Sequence, residues 1–70
     1  MSTTRRSERV GENLKRLIKE SKYGTQEKFA EAIYAEPRTV RRWIKEGVNR
    51  LDTMEDIAKV LDIDVMALLS

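Results

Sequence analysis

Four basic residues recur at positions i, i+3, i+4 and i+7 within the short segment 37–45, namely Arg38, Arg41, Arg42 and Lys45. On a helix of about 100° per residue this spacing places all four side chains in one row, called here the basic row. No acidic residue lies between Glu36 and Glu46 to neutralise this row. A solvated helix face usually mixes charges of both signs, so a row of like charges favours contact with a polyanion.

The opposite side of the same segment is largely apolar and holds Pro37, Val40, Trp43 and Ile44. We expect these residues to anchor the helix on a core, which assigns Trp43 to packing and not to stacking on a base. The major groove of B-DNA, about 12 Å wide, admits one helix. Because the planar guanidinium of arginine pairs bidentately with guanine or with phosphate, the segment predicts a DNA-reading helix over about 37–46.

Composition excludes several other classes of function. The chain contains no cysteine and no histidine, so disulfides, thiolate metal sites and the commonest general base are absent from the sequence. We therefore expect no enzyme activity, no metal, no cofactor and no small-molecule substrate. No apolar run approaches the roughly 20 residues that a membrane span needs, and the first residues lack the apolar stretch of a signal peptide. These features favour a cytoplasmic protein.

Charge is distributed unevenly along the chain. Residues 1–50 hold 13 of the 14 basic residues and 7 of the 12 acidic ones, whereas residues 51–70 hold only Lys59 and the other five acids. The asymmetry fits a basic surface for a polyanion and equally well ordinary solvated helix faces. We expect the carboxylates between 52 and 64 to be solvated.

The elements that must position the basic row follow from apolar periodicity. Residues 1–6 are polar and predict a flexible tail in front of a single domain, 7–70. Ser7 is a candidate N-cap for a first helix whose apolar side holds Val10, Leu14, Leu17 and Ile18. Lys19 and Lys22 suit its C-terminal turn, and Tyr23-Gly24 is expected to end it.

A short second helix and the helix of the basic row come next. Thr25 is the N-cap candidate of the second helix, and Phe29, Ala30 and Ile33 form its apolar stripe. Pro37 fits the first turn of the third helix, because proline lacks the amide hydrogen that this turn leaves unused. Gly47 is expected to end it.

Two further helices complete an all-α fold without a strand. The fourth starts at about Asn49 or Asp52 and ends at Leu61, and its residues expected to face inward are Leu51, Met54, Ile57, Ala58 and Leu61. Asp64 can cap a short fifth helix that carries Val65, Leu68 and Leu69.

The stretch TQEKFAEAIYAEPRTVRRW, residues 25–43, resembles the helix-turn-helix of the Xre/Cro/phage-repressor family. The resemblance extends to VGENLKRLIKE at 10–20 and to LDTMEDIAKVLDIDVMALL at 51–69. It implies a lambda-repressor-like fold, a compact five-helix bundle in which helices 2 and 3 form the motif. The apolar positions of the motif fall on Phe29, Ala30, Ile33, Ala35, Val40 and Trp43. Ala30 must be small where the two helices meet, and Val40 fills the angle between them.

The resemblance also implies a function and a set of contacts. It indicates sequence-specific binding of double-stranded DNA by a prokaryotic or phage transcription regulator, which we expect to be a repressor. The expected base contacts are Pro37, Arg38 and Arg42. The expected contacts to the DNA backbone are Gln26, Thr39, Arg41, Lys45, Asn49 and Arg50.

Pairing of two copies on palindromic half-sites is a further implication. The segment 65–69 has more apolar residues than one inward face can use, and Met66 should point into solvent unless a partner covers it. The segment is short, so we expect a weak dimer or a monomer in free solution. Arg5 and Arg6 are assigned to a flexible tail, with an arm reaching into a DNA groove as the alternative.

Three positions depart from the family pattern. Tyr34 stands where glycine is common, and therefore predicts a positive φ at the turn. Glu36 stands where serine or threonine usually caps the third helix, although its carboxylate can still accept backbone N–H bonds. Pro37 replaces a polar base-contacting residue, so base recognition depends more on the arginines. A protein-interaction or antitoxin-like module with the same fold is the alternative function, in which the basic row would bind an acidic protein surface.

Overall fold

The apolar periodicity of the sequence becomes a bundle of α-helices in the computed structural model, which describes residues 6–69. Within this range there are five helices and no strand: α1 (Arg6–Glu20), α2 (Gln26–Ala32), α3 (Pro37–Glu46), α4 (Leu51–Leu61) and α5 (Met66–Leu69). The predicted all-α class and the order of the helices are confirmed. No helix among the described residues is both long enough and apolar enough to cross a bilayer.

All five helices contribute to one hydrophobic core. Its largest fully buried side chains are Val10, Leu14, Ile18, Phe29, Val40, Ile57 and Leu68. The predicted inward residues of α1, α2 and α4 are therefore confirmed, with Leu17 and Ile33 only half-buried at the edge of the core. Leu51 is the exception. Its side chain is 61% exposed, because it is the first residue of α4 and lies outside the stripe that begins at Met54.

Two residues of α1 that carry no apolar side chain determine how the helices meet. Gly11 lies where α1 approaches the end of α3 so closely that a Cβ atom would stand 2.4 Å from the carbonyl oxygen of Ile44. Asn13 is buried, and its Nδ2 donates a hydrogen bond of 2.8 Å to the carbonyl oxygen of Leu68 in α5. These contacts connect the first helix to α3 and to α5.

The ends of the helices partly follow the expected capping residues. Thr25 caps α2, since its hydroxyl accepts a 3.2 Å hydrogen bond from the amide of Lys28. The Asp64 carboxylate accepts a 2.9 Å bond from the amide of Met66, as expected for the start of α5. Gly47 ends α3 with φ of 89°, a left-handed value that glycine adopts without steric cost.

The boundaries of α1 correct two expectations. This helix begins at Arg6, so Ser7 lies inside it and is not its N-cap, while residues 1–5, with Arg5, lie outside the described range. It ends at Glu20, three residues before Tyr23, which leaves Lys22 beyond the last turn. Tyr23 contacts other parts of the bundle. Its hydroxyl donates to the carbonyl oxygen of Val60 at 3.2 Å, and its ring packs edge-on against Phe29.

The turn between α2 and α3 contains a strained residue. Tyr34 has φ of 60°, as the family pattern predicts, and its side chain is 97% exposed. An L-residue in this conformation costs roughly 1–2 kcal/mol, and an exposed ring offers little packing in return. We expect Tyr34→Gly to raise the free energy of unfolding by about 1 kcal/mol, which in a domain of this size raises Tm by about 4–8 °C.

Tyr34→Ala is the matched control for this substitution, because it removes the ring and keeps the Cβ atom. Its Tm, measured by circular dichroism, should stay near that of the unmodified chain. An equal gain for both variants would show that the ring, and not the backbone conformation, is unfavourable.

Candidate nucleic-acid interface

The two sides of α3 differ sharply in exposure. Val40 is fully buried, and Trp43 and Ile44 are half-buried against the core. All four members of the basic row are exposed. Pro37 is the exception to the predicted phase, since it starts the helix as expected but is exposed and does not anchor it. The basic row therefore faces solvent on a helix held from behind.

Most of the basic row is free to bind a ligand. Within the described range Arg41, Arg42 and Lys45 form no hydrogen bond or ion pair. Arg38 differs, because its Nε lies 2.9 Å from Oε2 of Glu36. Glu36 is the N-cap of α3, yet its side chain makes no capping hydrogen bond. The expectation that this carboxylate would accept backbone N–H bonds is therefore wrong, because the arginine takes it instead.

The angle between α2 and α3 is fixed by small and branched side chains. Ala30 and Val40 are both fully buried where the helices meet. The amide of Ala35 donates to the carbonyl oxygen of Ala30 at 2.9 Å, which closes the turn after Ile33. Helices 2 and 3 thus form the helix-turn-helix that the sequence predicted, and the turn presents the N-terminal end of α3 to solvent.

A shallow groove runs beside the basic row, where α1, the start of α2 and α3 converge. Arg41 lines it from α3, Thr25 and Gln26 line it from α2, and Lys15 and Lys19 line it from α1. Three cations therefore border one groove, together with the single acid Glu27. Lys15 and Lys19 are not among the contact residues that the sequence predicted. Their i, i+4 spacing on the exposed side of α1 is the signal that could have identified them.

The other members of the basic row border different surfaces. Arg38, Thr39 and Arg42 line a depression at the start of α3. Arg42 also borders a second depression, which Asn49 and Arg50 line from the loop before α4. Arg50 is partly neutralised, because its Nη2 lies 3.4 Å from Oδ2 of Asp52. Arg42 thus connects the depression at the start of α3 with the one beside the loop before α4.

Comparison with known proteins identifies this arrangement. Residues 13–70 match the model of the Cro/C1-type HTH DNA-binding domain. The chain belongs to this family. The family is one of DNA-binding domains, and the matched residues include the whole helix-turn-helix of α2 and α3.

The Cro/C1-type fold is also seen in a solved structure. The chain is similar to the solution structure of the SOS-response transcriptional repressor LexA from Eubacterium rectale, with a TM-score of 0.80 and 25% sequence identity. The similarity covers 100% of this chain and 74% of that chain. A search of curated proteins finds no match to the chain. The structural similarity confirms the five-helix fold.

Proposed function

We propose that this Cro/C1-type domain is a sequence-specific repressor of transcription that inserts α3 into the major groove of double-stranded DNA. The observation that carries the proposal is the basic row, which is exposed along its whole length on a helix anchored from behind by Val40. A helix of this kind fits the major groove, where base edges differ from one pair to the next. The structurally similar LexA is a transcriptional repressor, which supports repression as the sign of regulation.

In this proposal the two central arginines read bases and their neighbours bind phosphates. In the complex Arg38 and Arg42 face the floor of the DNA major groove, with Pro37 beside them as an apolar contact for a thymine methyl. One flank consists of Lys15, Lys19, Gln26 and Arg41 around the groove between α1 and α3. The other flank holds Asn49 and Arg50, which border one depression together with Arg42. Thr39 and Lys45, both on α3, are the remaining proposed phosphate contacts. Phosphate contacts position the domain, and base contacts specify the sequence.

Two arginine variants test the division between reading and positioning. Arg42→Ala should lower discrimination between a selected duplex and its scrambled version by about 1–3 kcal/mol, because one bidentate base contact is lost. Arg41→Ala should weaken binding to both duplexes by a similar factor and leave their ratio unchanged. Fluorescence anisotropy with the two duplexes at one salt concentration measures both effects. If the two variants lose discrimination equally, the assignment of reading to Arg42 is wrong.

We also propose that two copies bind a palindromic site. One domain of this size buries only about 600–1,000 Å² on DNA, and pairing across a two-fold axis doubles the contact. Met66 is 63% exposed, as the sequence predicted, and the neighbouring Leu69 is exposed too. These two side chains offer a small apolar surface at one end of the bundle. Sedimentation should therefore find a monomer or weak dimer without DNA, and a stable dimer in free solution would contradict the weak pairing.

A further inference from the structure

The N-cap of the proposed reading helix is chemically unusual. Serine, threonine, aspartate and asparagine are favoured at this position, because a short side chain reaches the free amides of the first turn. Glu36 makes no such bond, and its Oε2 lies 2.9 Å from Nε of Arg38. The residue that should complete the helix end instead contacts a side chain of the basic row.

This ion pair contributes little to folding. The two side chains are 79% and 67% exposed, and ion pairs with this degree of exposure stabilise proteins weakly if at all. The ion pair is therefore of interest for the orientation and charge of the Arg38 side chain, and not for the stability of the fold.

The contact at Nε leaves one particular edge of the guanidinium available. Arginine has one Nε–H and two terminal amino groups, and a carboxylate at Nε occupies the side of the fork that contains that nitrogen. The two terminal groups remain free to donate together to O6 and N7 of a guanine. Glu36 is extended with ψ of 147° and Arg38 is the second residue of α3, so the two partners are separated by Pro37 alone.

The contact between Glu36 and Arg38 also affects whether Arg38 binds more favourably to phosphate or to guanine. Together Glu36 and Arg38 carry no net charge, so the attraction of this arginine for a phosphate is reduced. A guanine edge is uncharged and gains mainly from two well-oriented donors, so it is affected much less. The carboxylate thereby disfavours phosphate relative to guanine.

We propose that Glu36 is a positioning residue for Arg38, which it holds end-on towards a base and makes selective for guanine over phosphate. This inference depends on the proposed function, in which α3 reads bases. A simpler role for Glu36 is to compensate the positive end of the helix dipole, which favours an acid at this position without any effect on sequence discrimination.

Glu36→Gln separates the two roles, since it keeps the size of the side chain and removes its charge. The whole chain is titrated against two probes, a duplex enriched by selection from random DNA and a scrambled duplex of equal length and composition. We expect affinity for the scrambled duplex to rise and the ratio of the two affinities to fall by about 10-fold, within the range for one bidentate base contact. The same loss is expected for Glu36→Ser, whose better N-cap keeps α3 folded.

Glu31→Gln is the matched control, because Glu31 is an exposed acid of α2 that borders neither the groove nor the two depressions beside the basic row. This variant should raise both affinities by a similar factor and leave their ratio unchanged. In an Arg38→Ala background Glu36→Gln should also leave the ratio unchanged, because the side chain that it positions is absent.

Two results would overturn the inference in different ways. If Arg38→Ala lowers the ratio but Glu36→Gln behaves like Glu31→Gln, Glu36 acts only through its charge and the proposed function survives. If neither Arg38→Ala nor Arg42→Ala lowers the ratio, α3 does not read bases as proposed, and the inference fails with that function.

Discussion

Replacing Gly11 with alanine should lower the free energy of unfolding by about 2 kcal/mol, although alanine is the better helix former. Helix propensity alone favours alanine by about 1 kcal/mol within a helix such as α1. The added Cβ would stand 2.4 Å from the carbonyl oxygen of Ile44 and 2.8 Å from that of Trp43. Both are backbone atoms and cannot rotate away, so α1 and α3 must separate, and overpacking of this kind costs about 1–3 kcal/mol or more.

Chemical denaturation of the two proteins measures this difference directly. Glu12→Ala is the matched control, because Glu12 is the exposed neighbour of Gly11 in the same helix and its replacement should change stability by less than about 0.5 kcal/mol. A more stable Gly11→Ala variant would mean that α1 and α3 are farther apart than described here. The substitution should also weaken DNA binding, since the contact lies behind Trp43, next to the exposed basic row.

The features that could be predicted from the sequence are those that depend on residues close together in the chain. The i, i+3, i+4 spacing located α1 to α4 and distinguished the buried side of α3 from its basic side, because helical geometry alone determines which residues share a face. Pro37 and Gly47 located the start and end of α3 for equally local reasons. The positive φ of Tyr34 came from the family resemblance, and the structure confirms it.

The features that could not be predicted depend on pairs of residues far apart in the chain. Gly11 and Asn13 looked like ordinary members of an amphipathic helix, and only the folded bundle shows that they contact Ile44 and Leu68. Leu51 was assigned to the core because it is apolar, although the first turn of α4 exposes it. The Glu36 carboxylate could either accept hydrogen bonds from the backbone amides of α3 or contact the Arg38 side chain. Residue type alone does not decide between these two roles.

The same distinction applies to the candidate interface. The basic row was predicted from one helix, whereas the groove that adds Lys15 and Lys19 forms only when α1 packs beside α3. Periodicity of cations on a second helix was visible in the sequence, but nothing local indicated that both helices border the same surface. The proposed interface therefore includes residues of α1 as well as those of α3.

Raising the salt concentration from 50 to 200 mM should lower the affinity for DNA by about 500-fold per domain, if the proposed phosphate contacts all form. Five cations are assigned to phosphates: Lys15, Lys19, Arg41, Lys45 and Arg50. Each phosphate neutralised on B-DNA releases a counterion and contributes about −0.9 to the slope of log affinity against log salt, so the expected slope is about −4.5. Anisotropy titrations with one duplex at several salt concentrations measure it.

Charge variants show which cations produce this slope. The double variant Lys15→Gln with Lys19→Gln should reduce its magnitude by about two units, because two phosphate contacts are lost. Lys59→Gln is the matched control. Lys59 is an exposed cation of α4 in the acidic last part of the chain, and its replacement should leave the slope unchanged.

An interaction module that binds an acidic protein through the basic row would bind DNA weakly even at 50 mM salt, and such a result would favour that alternative over DNA reading. If the double variant and Lys59→Gln change the salt slope equally, the chain still binds DNA but Lys15 and Lys19 of α1 do not contact it.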